Sequence, residues 1–477
     1  MELTKLSIKS MREKLVSREI TSAELLASFS ERKDEYFAYV TQTSDLAVES
    51  AQVADLRIAA GENAPLLGIP GAVKDNICTD GIKTTCASKM LADFIPPYDA
   101  DVVQRLKQSG YVLTGKTNMD EFAMGSSSQT SVFGGVKNPY DVTRVPGGSS
   151  GGSAAVVAAR LAPFALGSDT GGSIRQPASF CGVTGIKPTY GRVSRYGLVA
   201  FASSLDQIGV FTKTAADSAE VLNVISGYDK RDATSANVPT PDFTSYLNRD
   251  VRGLRIALPD EYFGDTVGDD VRTAVLNAAK YFEESGATLV PCSMKVFDYA
   301  VSAYYLLACA EAASNLSRFD GVKYGLRGEG ATYEQRIVDS RNKGFGAEVK
   351  RRILLGNYAL SSGYYDAYYR KAQALRQEII KEYNDVFTKA DIILTPTAPE
   401  PAFKIGSSEN DPIKMFLADI CTVMANIAYL PGINTTCGYT DDGLPIGMSL
   451  IGKRFDEGGI IGAADFFERN FRRKDIP

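Results

Sequence analysis

The chain reads Gly-Gly-Ser-Ser-Gly-Gly-Ser at residues 147–153 and Gly-Ser-Asp-Thr-Gly-Gly-Ser at residues 167–173. Both blocks place serines beside glycines, an arrangement that suits a nucleophilic serine held in a tight turn. The composition contains no histidine, so neither a Ser-His-Asp triad nor a histidine-ligated metal site can form. Hydrolytic chemistry would therefore need another base, and Lys74 is the candidate.

The second block can supply hydrogen-bond donors as well as a nucleophile. Thr170, Gly171, Gly172 and Ser173 form its last four residues. Their backbone N–H groups can turn toward one point, because glycine carries no Cβ that would obstruct the turn. Ser173 opens a segment of helical character, whose dipole adds positive potential there. We therefore predict that these amides bind the negatively charged oxygen of a reaction intermediate.

Lys74 lies in an apolar, strand-like segment, residues 71–77. Burial disfavours the charged ammonium group and lowers the pKa of a lysine, so a buried Lys74 could accept a proton near neutral pH. Composition alone favours a simpler alternative, an ion pair between Lys74 and Asp75 at the end of a strand. The residues by themselves leave both interpretations open.

The overall composition is that of an ordinary globular protein, with 477 residues of which 44% are hydrophobic and 23% charged. The net charge of −5 argues against non-specific binding of nucleic acid. Seven scattered cysteines without a CxxC pair indicate free thiols in a reducing compartment. Because neither a signal peptide nor a membrane-spanning segment is visible, we expect the cytoplasm or an organelle matrix and no membrane partner.

Strand-like and helix-like segments alternate along the chain, which indicates an α/β fold with both faces of the sheet covered. The first 60 residues are predicted as helices, with a capping box at Thr21 and Glu24. Further helices are predicted at residues 101–109, 154–161, 270–284, 297–318 and 364–389. Strands are predicted at residues 71–78, 111–117, 163–166, 254–258, 287–291 and, as the terminal strand, 392–395.

Residues 110–117 match the phosphate-binding loop pattern GxxxxGK[ST]. That motif needs a strand before its first glycine and a helix that starts at its lysine. Here a helix is predicted before Gly110, and the strand lies inside the supposed loop. We therefore predict a structural strand rather than a nucleotide site.

Taken together, Lys74 and the two blocks resemble the amidase signature family. The second block continues as Ile-Arg-Gln-Pro, and Ser173 follows Ser149 by 24 positions and Lys74 by 99 positions. The resemblance implies that Ser173 is the nucleophile and that Ser149, after a cis peptide bond, bridges it to Lys74. Ser150 and Ser153 are then expected to be loop and helix-start residues.

The same resemblance covers nearly the whole chain and extends to the fold. It implies a single amidase-signature domain over residues 1–477, with a central mixed β-sheet covered by helices on both faces. The N-terminal helices, about residues 1–60, would pack on this core.

Three segments are most similar to the A subunit of the tRNA-dependent amidotransferases within this family, namely residues 118–126, 315–321 and 348–356. By that resemblance Arg352 binds the α-carboxylate of glutamine and Asp419, in a helix, binds its α-amine. Tyr304 contacts the glutamine side chain, and Met124 belongs to the same substrate-binding set. Arginine pairs with a carboxylate through two parallel hydrogen bonds, which suits amino-acid selection. The alternative for Arg352 is a solvated helix face in the basic run 350–352.

The resemblance also implies partners. A B subunit would bind the tRNA, a small C subunit would stabilise the assembly, and glutamine would be the substrate of this chain. We expect no cofactor or metal on this chain, and ATP and Mg²⁺ on the partner subunit. Two alternatives remain, a free-standing amidase for small aliphatic or aryl amides and a non-enzymatic binding protein on an inactive amidase scaffold. The intact Ser-Ser-Lys set argues against the second.

Overall fold

The structure is a computed structural model, which describes residues 2–407 and 412–471. In this part of the chain eleven strands form one sheet. The strands are β1 (Tyr39–Gln42), β2 (Pro70–Lys74), β3 (Val112–Thr117), β4 (Phe164–Asp169), β5 (Thr184–Lys187), β6 (Gln207–Thr212), β7 (Arg255–Pro259), β8 (Thr288–Cys292), β9 (Ile392–Pro396), β10 (Gly432–Tyr439) and β11 (Pro445–Gly452).

The same part of the chain contains fifteen α-helices. They are α1 (Ile8–Val16), α2 (Ser22–Ser30), α3 (Ser44–Ala59), α4 (Asp101–Ser109), α5 (Gly151–Ala158), α6 (Arg175–Phe180), α7 (Ala215–Ile225), α8 (Asp269–Glu284), α9 (Phe297–Asn315), α10 (Tyr333–Gly344), α11 (Ala347–Leu360), α12 (Tyr369–Lys389), α13 (Pro412–Leu417), α14 (Val423–Ile427) and α15 (Glu457–Asn470).

The sheet is mixed, with the strand order β1-β3-β2-β4-β6-β5-β10-β11-β9-β7-β8. Strand β2 runs parallel to β3 and β4, and β7 runs parallel to β8 and β9. The other pairs are antiparallel. The predicted α/β fold with a central mixed sheet is therefore confirmed. Because β2 and β4 are neighbours, the carboxyl ends of both strands meet at one edge of the sheet.

Alternate residues of the central strands belong to different hydrophobic clusters. Ala72 and Ala165 pack in a cluster with α5, whereas Val73 and Leu166 belong to the main cluster. Since successive side chains of a strand point to opposite faces, the two clusters cover the two faces of the sheet. This double cover explains why every residue of β2 and β4 is buried.

The first 60 residues contain one strand that the sequence did not predict. The predicted capping box is present, since the Thr21 hydroxyl oxygen accepts the N–H of Glu24 and the Glu24 carboxylate accepts the N–H of Thr21. Strand β1 follows α2 and pairs antiparallel with β3. A four-residue strand is too short to set up a recognisable alternation of apolar residues. The single domain over residues 1–477 stays a prediction, and residues 1 and 472–477 lie outside the described part.

Strand β9 matches the predicted segment 392–395, but it is not the terminal strand. Strands β10 and β11 follow it, and β9 pairs with both β7 and β11. β10 and β11 were missed because threonine and glycine interrupt the apolar pattern of Gly432–Tyr439 and Pro445–Gly452. The helix predicted at residues 364–389 begins only at Tyr369.

The phosphate-loop match is a structural strand, as predicted. Gly110 ends α4 with φ of +78°, and Val112–Thr117 forms β3 inside the supposed loop. Lys116 is fully buried, and its ammonium donates to the carbonyl of Ile77 and to the hydroxyls of Thr79 and Thr84. The lysine therefore serves as an internal hydrogen-bond donor in the fold.

Candidate active site

Lys74 is the last residue of β2, and its ammonium group lies among serine hydroxyls. Its Nζ is 2.8 Å from Ser149 Oγ, 2.7 Å from Ser150 Oγ and 3.0 Å from Ser168 Oγ. The Lys74 side chain has no solvent-exposed surface. Asn76 Nδ2 donates to the same Ser168 oxygen at 2.9 Å, which fixes that hydroxyl beside the lysine. The structure thus brings together Lys74 and Ser149, as the sequence predicted.

Burial lowers the pKa of Lys74 to about 7, against the opposing effect of the carboxylates of Asp120, Asp169 and Asp206. The cause is desolvation, since a buried ammonium loses the water that stabilises its charge. A substantial fraction of Lys74 is therefore neutral at physiological pH and can accept a proton. Asp75 does not take part, because its carboxylate lies 3.9 Å from the ammonium of Lys116 instead.

Ser149 lies in the loop immediately before α5, and the Gly148–Ser149 peptide bond is cis, as the family resemblance implies. The Gly148 N–H donates to Gln176 Oε1 at 2.9 Å, and the amide of Gln176 donates to the Ser126 carbonyl at 3.0 Å. The Gly151 N–H donates to Ser128 Oγ at 2.9 Å. These bonds hold the first block in place against the start of α6.

Ser173 lies on the turn that connects β4 to α6, and 8% of its surface is exposed. The carboxylate of Asp169 closes this turn, accepting the N–H of Gly172 at 2.8 Å and that of Ile174 at 3.1 Å. The Gly172 amide is thus occupied by Asp169, contrary to its expected role in binding the oxyanion. The N–H groups of Thr170, Gly171 and Ser173 have no acceptor within the described residues.

The Asp169 carboxylate is held in place by a fully buried arginine, Arg175. Arg175 Nε lies 3.2 Å from Asp169 Oδ2, and its Nη2 lies 3.3 Å from Oδ1. Burial by itself would raise the pKa of Asp169, but the Arg175 charge outweighs it and lowers this pKa to about 2. The carboxylate therefore stays ionised and holds the turn rigidly at every physiological pH.

The two glycines of the turn are required by close neighbours. A Cβ on Gly171 would lie 2.4 Å from Tyr304 Cζ, and a Cβ on Gly172 would lie 2.2 Å from Thr422 Oγ1. Gly172 also has φ of +141°, a conformation that favours glycine. Tyr304, on α9, therefore lies directly against the turn that carries Ser173.

Arg352, on α11, is buried, with 2% of its surface exposed, which excludes the solvated alternative. Its Nε donates to Glu348 Oε1 at 2.8 Å, one helical turn earlier. The guanidinium lies over the rings of Phe201 and Tyr305, at 5.4 and 5.1 Å from their centroids. Glu348 holds Arg352 through Nε, and the two terminal nitrogens make no hydrogen bond to any of the residues that the structure describes, so they can bind a ligand.

Asp419 lies in a turn between α13 and α14 rather than in a helix. Ser126 Oγ donates to it at 2.9 and 3.0 Å, and the hydroxyl of Tyr305 donates at 3.4 Å. Burial raises the pKa of Asp419 to about 7, although Ser126 and Arg352 oppose the shift. An arriving ammonium group would favour the ionised form and bind to it.

Consecutive tyrosines on α9 connect the two parts of the site. Tyr304 lies against Gly171, while Tyr305 contacts both Arg352 and Asp419, and the two rings are 5.0 Å apart. The arginine–aspartate pair is therefore adjacent to the serine turn. Met124 has no exposed surface and packs in the main hydrophobic cluster, so its role in substrate binding stays a prediction.

Sequence reasoning missed several side chains of this site. Ser150 was assigned to a loop or helix start, yet it is the hydroxyl nearest to Lys74 Nζ. Strand alternation would not have found Ser168, because it places Ser168 on the face of Leu166 and Lys74 on the opposite face, that of Ala72, and the two side chains meet only where both strands end. Asp206 gave no local signal, since its contacts depend on the pairing of β4 with β6.

Within the described residues, no group of three or more histidine, cysteine, aspartate or glutamate side chains is arranged to hold a metal ion. No helix in this part of the chain has the length and apolar character needed to cross a lipid bilayer.

Comparison with known proteins gives matches along nearly the whole chain. The profile of the family described as Amidase matches residues 22–461. The A subunit of the glutamyl-tRNA(Gln) amidotransferase from Persephonella marina is 55% identical over 475 residues, covering 98% of each chain. The crystal structure of the corresponding A subunit from Thermotoga maritima superposes with a TM-score of 0.80 at 42% identity, covering 98% of this chain and 96% of that one.

A peptide amidase from Stenotrophomonas maltophilia superposes with a TM-score of 0.83 at 26% identity, covering 99% of this chain and 98% of that one. Its backbone fits as well as that of the Thermotoga protein, although far fewer residues are identical. The fold is thus common to amidases of different substrates, whereas the sequence is much more similar to the amidotransferase chains. The chain belongs to the amidase family.

Proposed function

We propose that this chain is the glutamine-hydrolysing subunit of an amidotransferase that converts misacylated Glu-tRNA(Gln), Asp-tRNA(Asn) or both. The observation that carries the proposal is the position of the buried Arg352–Asp419 pair beside the turn that holds Ser173. A buried cation and a buried acid match the α-carboxylate and α-amine of a free amino acid. The similarity to the A subunits of glutamyl-tRNA(Gln) amidotransferases supports the same function.

In this mechanism, neutral Lys74 takes a proton from Ser149, which takes one from Ser173 as the Ser173 oxygen attacks the side-chain amide carbon of glutamine. The developing oxyanion accepts hydrogen bonds from free N–H groups of the turn. The proton is then passed to the amide nitrogen and the C–N bond breaks. Ammonia departs, and the glutamyl group remains on Ser173 as an ester. Water, deprotonated along the same path, then hydrolyses the ester to glutamate and restores Ser173.

The assembly belongs to the proposal. A B subunit would receive the ammonia, bind the tRNA and use ATP with Mg²⁺, and a C subunit would stabilise the complex. This chain would need no cofactor of its own and would work in the cytoplasm or an organelle matrix. The names of the relatives, each the A subunit of such an amidotransferase, support an assembly of this kind.

The test is ammonia release from glutamine by the tagged chain isolated with its co-purifying proteins from the native host. We expect Ser173→Ala to lower the rate by about 10⁴-fold or more, because the nucleophile is lost. Full glutaminase activity of Ser173→Ala would contradict the mechanism. Co-purification of two further chains, one of which binds tRNA, would support the assembly, whereas a monomer would not.

The rival function, a free-standing amidase for simple amides, is distinguished by Asp419→Asn. We expect this change to raise the KM for glutamine by about 30-fold to 100-fold, since a charged hydrogen bond to the α-amine is lost. Labelling of Ser173 by a fluorophosphonate should stay within about twofold, because this probe lacks an α-amine. Unchanged glutamine kinetics together with faster turnover of aliphatic amides would favour the free-standing amidase.

A further inference from the structure

Asp206 immediately precedes β6 and lies across from the serine turn. The register of the β4–β6 pair sets Asp169 opposite Gln207, so the residues beyond the pair, Thr170 and Asp206, also face each other. The Thr170 hydroxyl donates to Asp206 Oδ1 at 2.7 Å. Only 2% of Asp206 is exposed, and this carboxylate is therefore an internal support of the turn.

The same carboxylate also holds a second loop. It accepts the N–H of Phe201 at 2.9 Å and that of Ala202 at 3.0 and 3.1 Å. The ring of Phe201 lies against the guanidinium of Arg352. Asp206 thus contacts, on one side, the turn that carries the oxyanion donors and, on the other, the loop that supports the arginine.

The other anchors of these two segments each serve one of them. Asp169 fixes the far side of the turn through Gly172 and Ile174. Asn315 Nδ2 donates to the Phe201 carbonyl at 3.1 Å and is the last residue of α9, eleven positions after Tyr304, the residue of that helix that lies against the turn. Among the described residues, Asp206 is the side chain that bonds to both Thr170 and Phe201.

We propose that Asp206 is a positioning residue that sets the distance between the oxyanion-binding turn and the arginine that binds the substrate carboxylate. Glutamine must span these two points, with its amide at Ser173 and its α-carboxylate at Arg352. A fixed spacing would select the length of the substrate side chain. The role of Arg352 in this inference rests on the proposed function, while the support of the turn does not.

The experiment compares Asp206→Asn with Thr170→Val, Thr170→Ser and a matched control in the isolated complex. Asp217 supplies the control, because it is also buried and its carboxylate binds the N–H of Ile8 at 2.8 Å and the hydroxyl of Thr214 at 3.0 Å. Asp217→Asn removes the same kind of carboxylate at a place that contacts neither the turn nor Arg352. The readouts are kcat and KM for glutamine and asparagine, the rate of fluorophosphonate labelling, and Tm.

We expect Asp206→Asn to lower kcat/KM for glutamine by about 10-fold to 100-fold, since a small displacement of reacting groups has effects of that size. It should lower kcat, raise KM, slow the labelling of Ser173, and reduce the preference for glutamine over asparagine. Thr170→Val should slow labelling, Thr170→Ser should restore it, and the double variant with Asp206→Asn should label no more slowly than Asp206→Asn alone.

Either of two results from variants that carry Asp206→Asn would overturn the inference. One is an Asp206→Asn variant that, like Asp217→Asn, loses Tm but keeps its kinetics and its preference for glutamine. The other is additive effects of Asp206→Asn and Thr170→Val on labelling. If Asp206→Asn does not fold, Thr170→Val with normal labelling would also overturn it. A wild-type chain that reacts with the probe but does not hydrolyse glutamine would refute the proposed function, and the labelling rates would still decide whether Asp206 positions the turn.

Discussion

Lys74 and Lys116 are both fully buried, but their surroundings differ. Lys74 is the last residue of β2, and Lys116 is the last but one of the neighbouring strand β3. Lys74 has three serine hydroxyls within hydrogen-bonding distance of its Nζ. Lys116 contacts two threonine hydroxyls and a carbonyl, and it lies 3.9 Å from the carboxylate of Asp75. One buried lysine is surrounded by hydroxyls that can pass a proton, and the other has a counter-charge.

The difference shows that the partners of a buried lysine, rather than its burial, decide what it can do. Desolvation lowers the pKa of both ammonium groups, and nearby Asp75 opposes the effect at Lys116. Burial raises the pKa of Asp75 itself to about 6, so most of this carboxyl is ionised at neutral pH, and its negative charge favours the protonated form of Lys116. Lys74 can therefore act as a base, while Lys116 is a structural ion-pair partner.

The largest expected effect is the loss of the base. Lys74→Met should lower kcat/KM for glutamine by about 10⁴-fold, because no other group takes the proton of Ser149. Thermal unfolding should change little, since removing a buried cation also removes its desolvation cost. Ammonia release measures the loss of activity, and calorimetry measures the change in stability. Activity within tenfold of the wild type would mean that Lys74 is not the base.

Substitution of the second lysine, Lys116, should reduce stability and leave the chemistry intact. Lys116→Met should lower the free energy of unfolding by about 3–5 kcal/mol, because Asp75 is left buried and unpaired. Activity per folded molecule, counted by labelled Ser173, should stay within a few-fold of the wild type.

Denaturant unfolding of Lys116→Met, with the double variant Asp75→Asn/Lys116→Met as control, tests the ion pair. The double variant should recover part of the lost stability. A Lys116→Met variant that unfolds normally but is inactive would reverse the roles of the two lysines.

The third prediction concerns pH. As pH falls through about 7, Lys74 gains a proton and stops acting as a base, while Asp419 becomes neutral and loses its attraction for the α-amine. Of these two groups, only Lys74 takes part in labelling by a fluorophosphonate, and the labelling rate should fall about tenfold per pH unit below the midpoint. Glutamine kcat/KM depends on both groups and should fall more steeply. If the labelling rate and glutamine kcat/KM fell equally steeply with pH, Asp419 would not take part in binding glutamine.

The smallest effect should come from one hydroxyl beside Lys74. Ser150→Ala removes an acceptor that stabilises the charged lysine, so the pKa of Lys74 should drop and the pH midpoint of labelling should move down by up to about one unit. Ser153→Ala is the matched control, because that buried hydroxyl donates to the Leu166 carbonyl and, unlike Ser150, accepts no hydrogen bond from Lys74. An equal shift in both variants would mean that helix α5, rather than the hydroxyl, sets the pKa.

Much of the site could be predicted because its residues lie in short, recognisable motifs at a characteristic spacing. Without histidine, a lysine was the best remaining candidate for the base, and the spacing of Lys74, Ser149 and Ser173 resembles that of the amidase signature family, which assigns the role to Lys74. The contact of Ser150 with Lys74 could not be predicted, since it arises where α5 begins beside the neighbouring strands β2 and β4. The hydrogen bond from the Gly172 N–H to Asp169 could not be predicted either, because it depends on the conformation of the turn.

The glutamine pocket was harder to predict than the serine turn. In the basic run 350–352 only the geometry of the helix shows that Arg352 faces inward, and the burial of its side chain depends on Phe201 and Tyr305. Asp419 was expected in a helix but lies in a turn between α13 and α14, which have six and five residues. Elements this short carry too little periodicity to be placed from sequence.

The paired charges of Arg352 and Asp419 have a consequence for the other proteins of the cell. A glutamine residue inside a polypeptide has neither a free carboxylate nor a free amine, so it would leave Arg352 and Asp419 without the opposite charges that free glutamine supplies. Sites built to bind polar groups reject analogues that lack them by about 10⁴-fold or more. On the proposed function, an enzyme able to cleave side-chain amides would thereby spare folded and nascent proteins from deamidation.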